Sequence, residues 1–254
     1  MCGRFTLKTP VTDWLANLFP NWYETEGAAQ IQNLSVSLAS PRFNIAPSQQ
    51  ILILHSGRSG EYCLEPVRWG LLPTWADSFS VGYNMINARS ESLSDKPSFR
   101  PSLLNKRCIV LADGYFEWKK VTDKVKVPYW IHRPNQSIFA MAGLWAENHK
   151  IRTTPDSVTP IRSATVITTE ANADTVRVHD RMPAILSARE SIHAWLDSHC
   201  NDKEHTEFLL RQLRPCEPGT LGLRHVSTVV NNPKNEGASL ILDVDGLDCG
   251  AGSI

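Results

Sequence analysis

The 254-residue chain carries no excess of either charge: 26 lysines and arginines stand against 26 aspartates and glutamates. Without a global basic field, strong non-specific attraction to duplex DNA is not expected, and any nucleic-acid site must be a local groove. None of the six cysteines (2, 63, 108, 200, 216 and 249) forms a C-x-x-C pair, and the chain is too long for a disulfide-stapled miniprotein. Unlinked thiols in a reducing compartment are therefore expected, with no zinc site of finger-like spacing and no other cofactor. No apolar run approaches the roughly 20 residues of a membrane span. The opening Met-Cys-Gly-Arg-Phe lacks an apolar segment behind a basic start, so no secretory signal is expected, and a soluble intracellular protein is. Repeats and convincing linkers are absent too, which predicts one domain over residues 1–242 and a Gly- and Asp-rich disordered tail over 243–254.

What the chain does have is 42% apolar residues, enough for a core that needs no staple. Gln50 to His55 is a compact apolar run ended by Ser-Gly-Arg-Ser-Gly, which predicts a buried strand. β-branched and aromatic content predicts further strands over 63–72, 85–90, 107–111, 129–133, 138–146 and 164–169. Helices are expected over 12–19 and 98–106. A further helix is predicted after a capping-box pattern at Ser187–Glu190, with Ile192, Trp195 and Leu196 at helical spacing, and another around Phe208, Leu209 and Leu213. Residues 24–40 and 147–162 are small and polar, which predicts loops. Many strands with scattered helices and no regular β-α alternation give an α+β class: a single β-rich domain of mixed, partly barrel-like sheets with a few flanking helices.

Cys2 is the first position with distinctive chemistry. Once Met1 is trimmed, it would carry a free α-amine and a thiol on adjacent carbons. Such an aminothiol condenses with an aldehyde: the amine forms a Schiff base and the thiol closes a five-membered thiazolidine. The groups ordinarily titrate at about 7.7–8.0 and about 8.5, so both can work near neutral pH.

Several blocks follow Met1-Cys2-Gly3-Arg4-Phe5 in order. They are Arg42-Phe43-Asn44-Ile45-Ala46-Pro47, Trp69-Gly70-Leu71-Leu72-Pro73-Thr74-Trp75, and Ile86-Asn87-Ala88-Arg89-Ser90-Glu91. Then come Arg107-Cys108 with Asp113-Gly114-Tyr115-Phe116-Glu117-Trp118, Met141-Ala142-Gly143-Leu144-Trp145, and His179-Asp180-Arg181-Met182-Pro183. Taken together and in this order, they resemble the SOS-response-associated peptidase (SRAP) family of abasic-site-processing proteins. The resemblance runs from residue 2 to about 241, where 230–240 looks like the family's closing Lys-Asn-x-Gly segment.

The resemblance implies that Cys2 is the crosslinking nucleophile toward abasic sites in single-stranded DNA. It implies that Asn87 holds the Cys2 amine or the deoxyribose, that Glu117 is the general acid/base, and that His179 protonates the sugar hydroxyl and assists reversal. It also implies cleavage after Met1 and β-lyase-type chemistry. A glutamate between Phe116 and Trp118 is expected to be partly desolvated, a setting suited to proton transfer. Arg4, Arg89 and Arg181 lie in matched blocks and would hold phosphates. Trp75 and Trp118 offer stacking faces for unpaired bases, Asn44 and Pro47 would line the site, and Thr168 is a further candidate. The remaining histidines carry no assigned role. The expected partner is single-stranded DNA with abasic sites, met at replication forks or single-strand/double-strand junctions, bound by a monomer. Two other readings remain open: a non-catalytic reader of single-stranded or modified DNA, and a cysteine peptidase acting on protein substrates.

Overall fold

The computed structural model describes residues 2–57, 60–154, 156, 158–197 and 203–244. The described chain opens with strand β1 (Phe5–Leu7) and helices α1 (Thr12–Leu18) and α2 (Pro20–Trp22). A π-helical turn (Tyr23–Gly27) leads to α3 (Ala28–Gln32), α4 (Val36–Ala39), β2 (Arg42–Ile45), β3 (Gln50–Ser56) and β4 (Tyr62–Trp69). Next come α5 (Ser80–Tyr83), β5 (Asn87–Arg89), α6 (Arg100–Asn105), β6 (Arg107–Ala112), β7 (Gly114–Lys120) and β8 (Lys126–His132). The long strands β9 (Phe139–Asn148) and β10 (Ile161–Glu170) are followed by β11 (Arg181–Pro183) and β12 (Ile185–Leu186). Helices α7 (Arg189–Leu196) and α8 (Lys203–Gln212) and strand β13 (Gly222–His225) complete the regular elements, with short 3₁₀ turns at Ser90–Ser92, Thr228–Asn231 and Ala238–Ile241.

Five strands close on themselves. β10 pairs in parallel with β4, β4 pairs with β3, β3 with β6, β6 with β9, and β9 returns to β10. Ile53, Val110, Met141 and Val166 share one face of these strands, and all four are buried. The second sheet has the order β13-β8-β7-β1-β2. A single extended run joins the two: β6 belongs to the ring, β7 to the second sheet, and Asp113 alone lies between them. Gly114 sits at this crossing because a Cβ there would lie 2.1 Å from Nε1 of the buried Trp130. The expected α+β class with a partly barrel-like sheet is what the molecule adopts.

Some local expectations change. Residues 24–40, expected as a loop, are largely helical. Gln30 on α3 explains much of this: its side-chain oxygen accepts from Leu64 N at 2.8 Å and its amide donates to Tyr62 O at 3.4 Å, capping one end of β4. Gly27 lies so close to the Trp22 indole that an added Cβ would be 2.8 Å from it, which locks the π turn against the first helices. These contacts are tertiary, and small polar residues give no sign of them locally. The capping box at 187–190 does not form: α7 starts after Ala188, with no side-chain cap. The expected strand over 85–90 shrinks to Asn87–Arg89. Residues 149–160, within the second expected loop, contain no helix or strand among the described residues. The tail expected from residue 243 lies, except for Asp243 and Val244, outside the described residues. No described helix is long and apolar enough to cross a membrane.

Candidate functional site

The position of the N-terminal segment is set by Asp113. Its carboxylate accepts from Thr6 Oγ1 at 2.6 Å, Lys8 N at 2.8 Å and Thr9 N at 2.7 Å. Three donors on one buried carboxylate make a strong anchor in a low-dielectric setting. β1 then pairs with β7 as Phe5↔Tyr115 and Thr6↔Gly114, and Phe116 N donates to Arg4 O at 2.9 Å. Continued toward the N-terminus, this antiparallel register brings Cys2 to the level of Glu117 and Trp118.

Cys2 has no exposed surface, contrary to the accessible terminal thiol that its proposed chemistry requires. Burial pushes its thiol well above the ordinary value, and the neighbouring Glu117 carboxylate pushes it further. Asn87 Nδ2 donates to the Cys2 carbonyl at 2.7 Å, while Asn87 Oδ1 is buried without a hydrogen-bond partner. Glu117, only 3% exposed, is as desolvated as its place between two aromatics suggests. It opens onto a cleft of about 570 Å³ also lined by Trp118, Asp123, Lys124, Lys126, His179 and Asn231. Cys2, Asn87, Glu117 and His179 therefore gather around one place, although they come from four separated stretches of chain.

His179 is half-buried just before β11. Arg181 N–H donates to its Nδ1 at 3.0 Å, and Asp180 Oδ1 lies 2.8 Å from the same nitrogen. The neutral ring can accept from the backbone through Nδ1 and present Nε2–H; a protonated ring can direct Nδ1–H to Asp180. The site thus contains a carboxylate and an imidazole along one cleft, the pairing that general acid/base chemistry uses. No described group of three or more His, Cys, Asp or Glu residues is arranged to hold a metal ion.

The residues expected to contact DNA divide into engaged and open ones. Arg4 Nη1 donates to Asn44 Oδ1 at 2.6 Å and to Val230 O at 2.9 Å, and the guanidinium lies 5.9 Å from the Trp118 ring centre. Asn44 is 1% exposed, and its amide nitrogen donates to the carbonyls of Val230, Asn232 and Asn235 at 3.4, 3.0 and 2.8 Å. It therefore ties the closing segment to β2 and to Arg4. Trp118 is half-buried, its Nε1 donating to Asn231 Oδ1 at 2.7 Å. Thr168 is buried in β10, between Arg89 of β5 and Pro183 of β11.

Arg181 does not stand free. Its two terminal nitrogens meet the Glu91 carboxylate at 2.6 and 2.9 Å, and Nη2 also donates to Thr168 O at 2.7 Å. These Arg181 hydrogen bonds hold the Glu91 carboxyl below its ordinary value. Arg89, by contrast, is exposed. Pro47 is half-buried in the turn after β2, where Ser48 takes a positive φ of 73°. Trp75 is 50% exposed on a loop held by Asn148, whose amide donates to Pro73 O at 2.7 Å and Ala76 O at 2.9 Å. It shares no hydrogen bond with the residues around Cys2.

The sequence reading missed Lys124, Lys126 and Asn231 at the cleft, and Glu91 as the partner of Arg181. A signal for the lysines was present: residues 119–126 contain four lysines in eight positions, hidden by the neutral balance of the whole chain.

The model of the SOS response associated peptidase (SRAP) family matches residues 1–233. The chain is 38% identical over 242 residues to the "Abasic site processing protein YoqW" of Bacillus subtilis (strain 168), covering 95% of this chain and 99% of that protein. It is 34% identical over 249 residues to the Escherichia coli (strain K12) "Abasic site processing protein YedK", covering 96% and 100%. The "Abasic site processing protein HMCES" of Xenopus tropicalis is 31% identical over 248 residues, covering 85% and 68%. A crystal structure of a protein from Bacteroides thetaiotaomicron has the same fold, with a TM-score of 0.75 at 23% identity over 96% of this chain and 100% of that one. With most of its length matched both by the family model and by relatives above 30% identity, the chain belongs to the SRAP family.

Proposed function

We propose that the protein processes abasic sites in DNA, capturing the ring-opened sugar of single-stranded DNA as a thiazolidine on Cys2 after loss of Met1. Hydrolysis of the Met1–Cys2 bond consumes one water and frees the Cys2 amine. The amine adds to the sugar aldehyde and water leaves, giving an imine. The thiol then adds to the imine carbon and its proton passes to the nitrogen, closing the ring. Glu117 moves protons between amine, departing water and nitrogen. His179 supplies the proton of the sugar hydroxyl that is freed as the ring opens, and it assists the reverse reaction.

One observation carries this reading: Asn87 grips the carbonyl of Cys2 at 2.7 Å beside a buried Glu117 that opens onto the His179 cleft. The unpartnered Asn87 Oδ1 offers an acceptor that the freed amine could use. On this reading the unprocessed chain, with its thiol buried and protonated, is the resting form.

The test mixes the processed protein with single-stranded DNA carrying an abasic site, followed by boiling in detergent and a denaturing gel. A heat-stable shifted band is expected from wild type, and none from Cys2→Ala or from protein with extra residues left before Cys2. Glu117→Ala should slow capture by about 100-fold, the lower range for general acid/base groups. His179→Ala should mainly slow release. Binding in native gels without a covalent band would support a reader instead, and cleavage of generic peptides would support a peptidase.

A further inference from the structure

The β7–β8 hairpin contradicts a local rule of sheet chemistry. Lys120 and Lys126 stand directly opposite each other, and like charges in that relation destabilise a hairpin. Asp123 relieves only one of them, pairing with Lys120 at 2.6 Å. Lys126 and Lys124 have no ion-pair partner among the described residues, and both line the cleft that holds Glu117 and His179.

The turn holds these lysines in place. Thr122 Oγ1 accepts from Val125 N at 3.0 Å and Lys124 N at 3.3 Å, and Val121 N donates to Val125 O at 3.0 Å. On the same face as Lys126, Trp118 is fixed by Asn231. Two uncompensated cations beside an ordered aromatic, along one open cleft, form a place for an anionic chain with bases to stack. A locally unfavourable charge arrangement kept at a site is expected where a ligand compensates it.

We infer that Lys124 and Lys126 bind two backbone phosphates of single-stranded DNA next to the captured nucleotide, making the β7–β8 hairpin a grip on the flanking strand. This rests on the proposed function above, which it extends from the lesion to the neighbouring phosphodiesters. It also explains how a chain of zero formal net charge can attract a polyanion: the lysines are clustered locally on one hairpin.

The test measures reversible binding of an unmodified dT oligonucleotide, free of any aldehyde, across a salt series. Compared are the processed wild type, Lys124→Gln/Lys126→Gln and Lys124→Arg/Lys126→Arg. Each phosphate neutralised on a single strand contributes about 0.7 to the slope of log affinity against log salt, so the double Gln variant should show a slope shallower by about 1.4. Its affinity deficit at 50 mM salt should shrink about sevenfold at 200 mM. The double Arg variant should recover the wild-type slope, which a merely misfolded hairpin would not. An unchanged slope in the Gln variant, or a slope that Arg does not recover, overturns the assignment. Loss of covalent capture by wild type with the salt effect intact would refute the trap and leave the hairpin grip standing.

Discussion

At the scale of single residues, Asn87 is the most informative side chain. It is held on a three-residue strand by pairing with β10, and it spends its amide on the Cys2 carbonyl. Asn87→Ala is expected to slow covalent capture at least tenfold, about 1.4 kcal/mol of barrier. It should cost only about 1 kcal/mol of folding stability, the usual worth of one hydrogen bond. Capture kinetics beside urea unfolding would separate the two, and unchanged kinetics would remove Asn87 from the mechanism. The cysteines can be ranked in the same way. Of the four described, Cys2 and Cys108 have no exposed surface, Cys216 is buried, and Cys63 is half-exposed. Brief alkylation of the unprocessed native protein should therefore modify Cys63 well before the other three, as read by peptide mapping. Early labelling of Cys2 would show that its burial is not maintained in solution.

At the scale of elements, the cleft depends on the closing segment, and Asn44 is its tie. Asn44→Ala removes the acceptor for Arg4 and the donor to three carbonyls. A loss of about 2 kcal/mol is expected, since buried polar groups are left unsatisfied. Hydrogen exchange should rise over residues 228–236 before it rises in the strands of the ring, and uniform exchange would contradict this role. The sequence pattern identified β3, β6, β9 and β10 because each is long and apolar, with β-branched or aromatic residues. It could not identify α3, whose helical state depends on Gln30 reaching the backbone of β4. Nor could it identify β1 and β2, strands of three and four residues whose identity comes from their partners. Glu117 was found through the block around it; the lysines beyond it were not, because no motif marks a cationic hairpin in a neutral chain.

At the scale of the whole molecule, burial of neutral acids links stability to pH. Burial raises the thiols of Cys2 and Cys108 and the Tyr115 phenol well above their ordinary values. Groups that hold their protons longer in the folded state contribute stability that is fully present below their unfolded pKa. That stability is lost as pH rises beyond it, because the unfolded chain then binds fewer protons. Unfolded thiols titrate near about 8.5. Stability should therefore be level to about pH 8 and then fall by up to about 1.4 kcal/mol per pH unit for each thiol. Urea midpoints between pH 7 and 10 would check this, and Cys108→Ala should make the alkaline decline shallower. A profile that rises above pH 9 would show that these groups ionise more readily in the folded protein.

The order of the blocks along the chain was enough to single out Cys2, Asn87, Glu117 and His179 as candidates for the chemistry, each through its immediate neighbours. Local sequence also determined the α+β class, because runs of apolar β-branched residues have few other uses. Only the tertiary structure decided that the ring closes, since β9 and β10 meet over a register that no local pattern encodes. It alone determined which arginines are already engaged: Arg181 meets Glu91 across 90 residues, and Arg4 meets Asn44 across 40. Chemical identity is a property of a side chain and its neighbours in sequence. Availability depends on burial and on partners brought from a distance, and those exist only after the chain has folded.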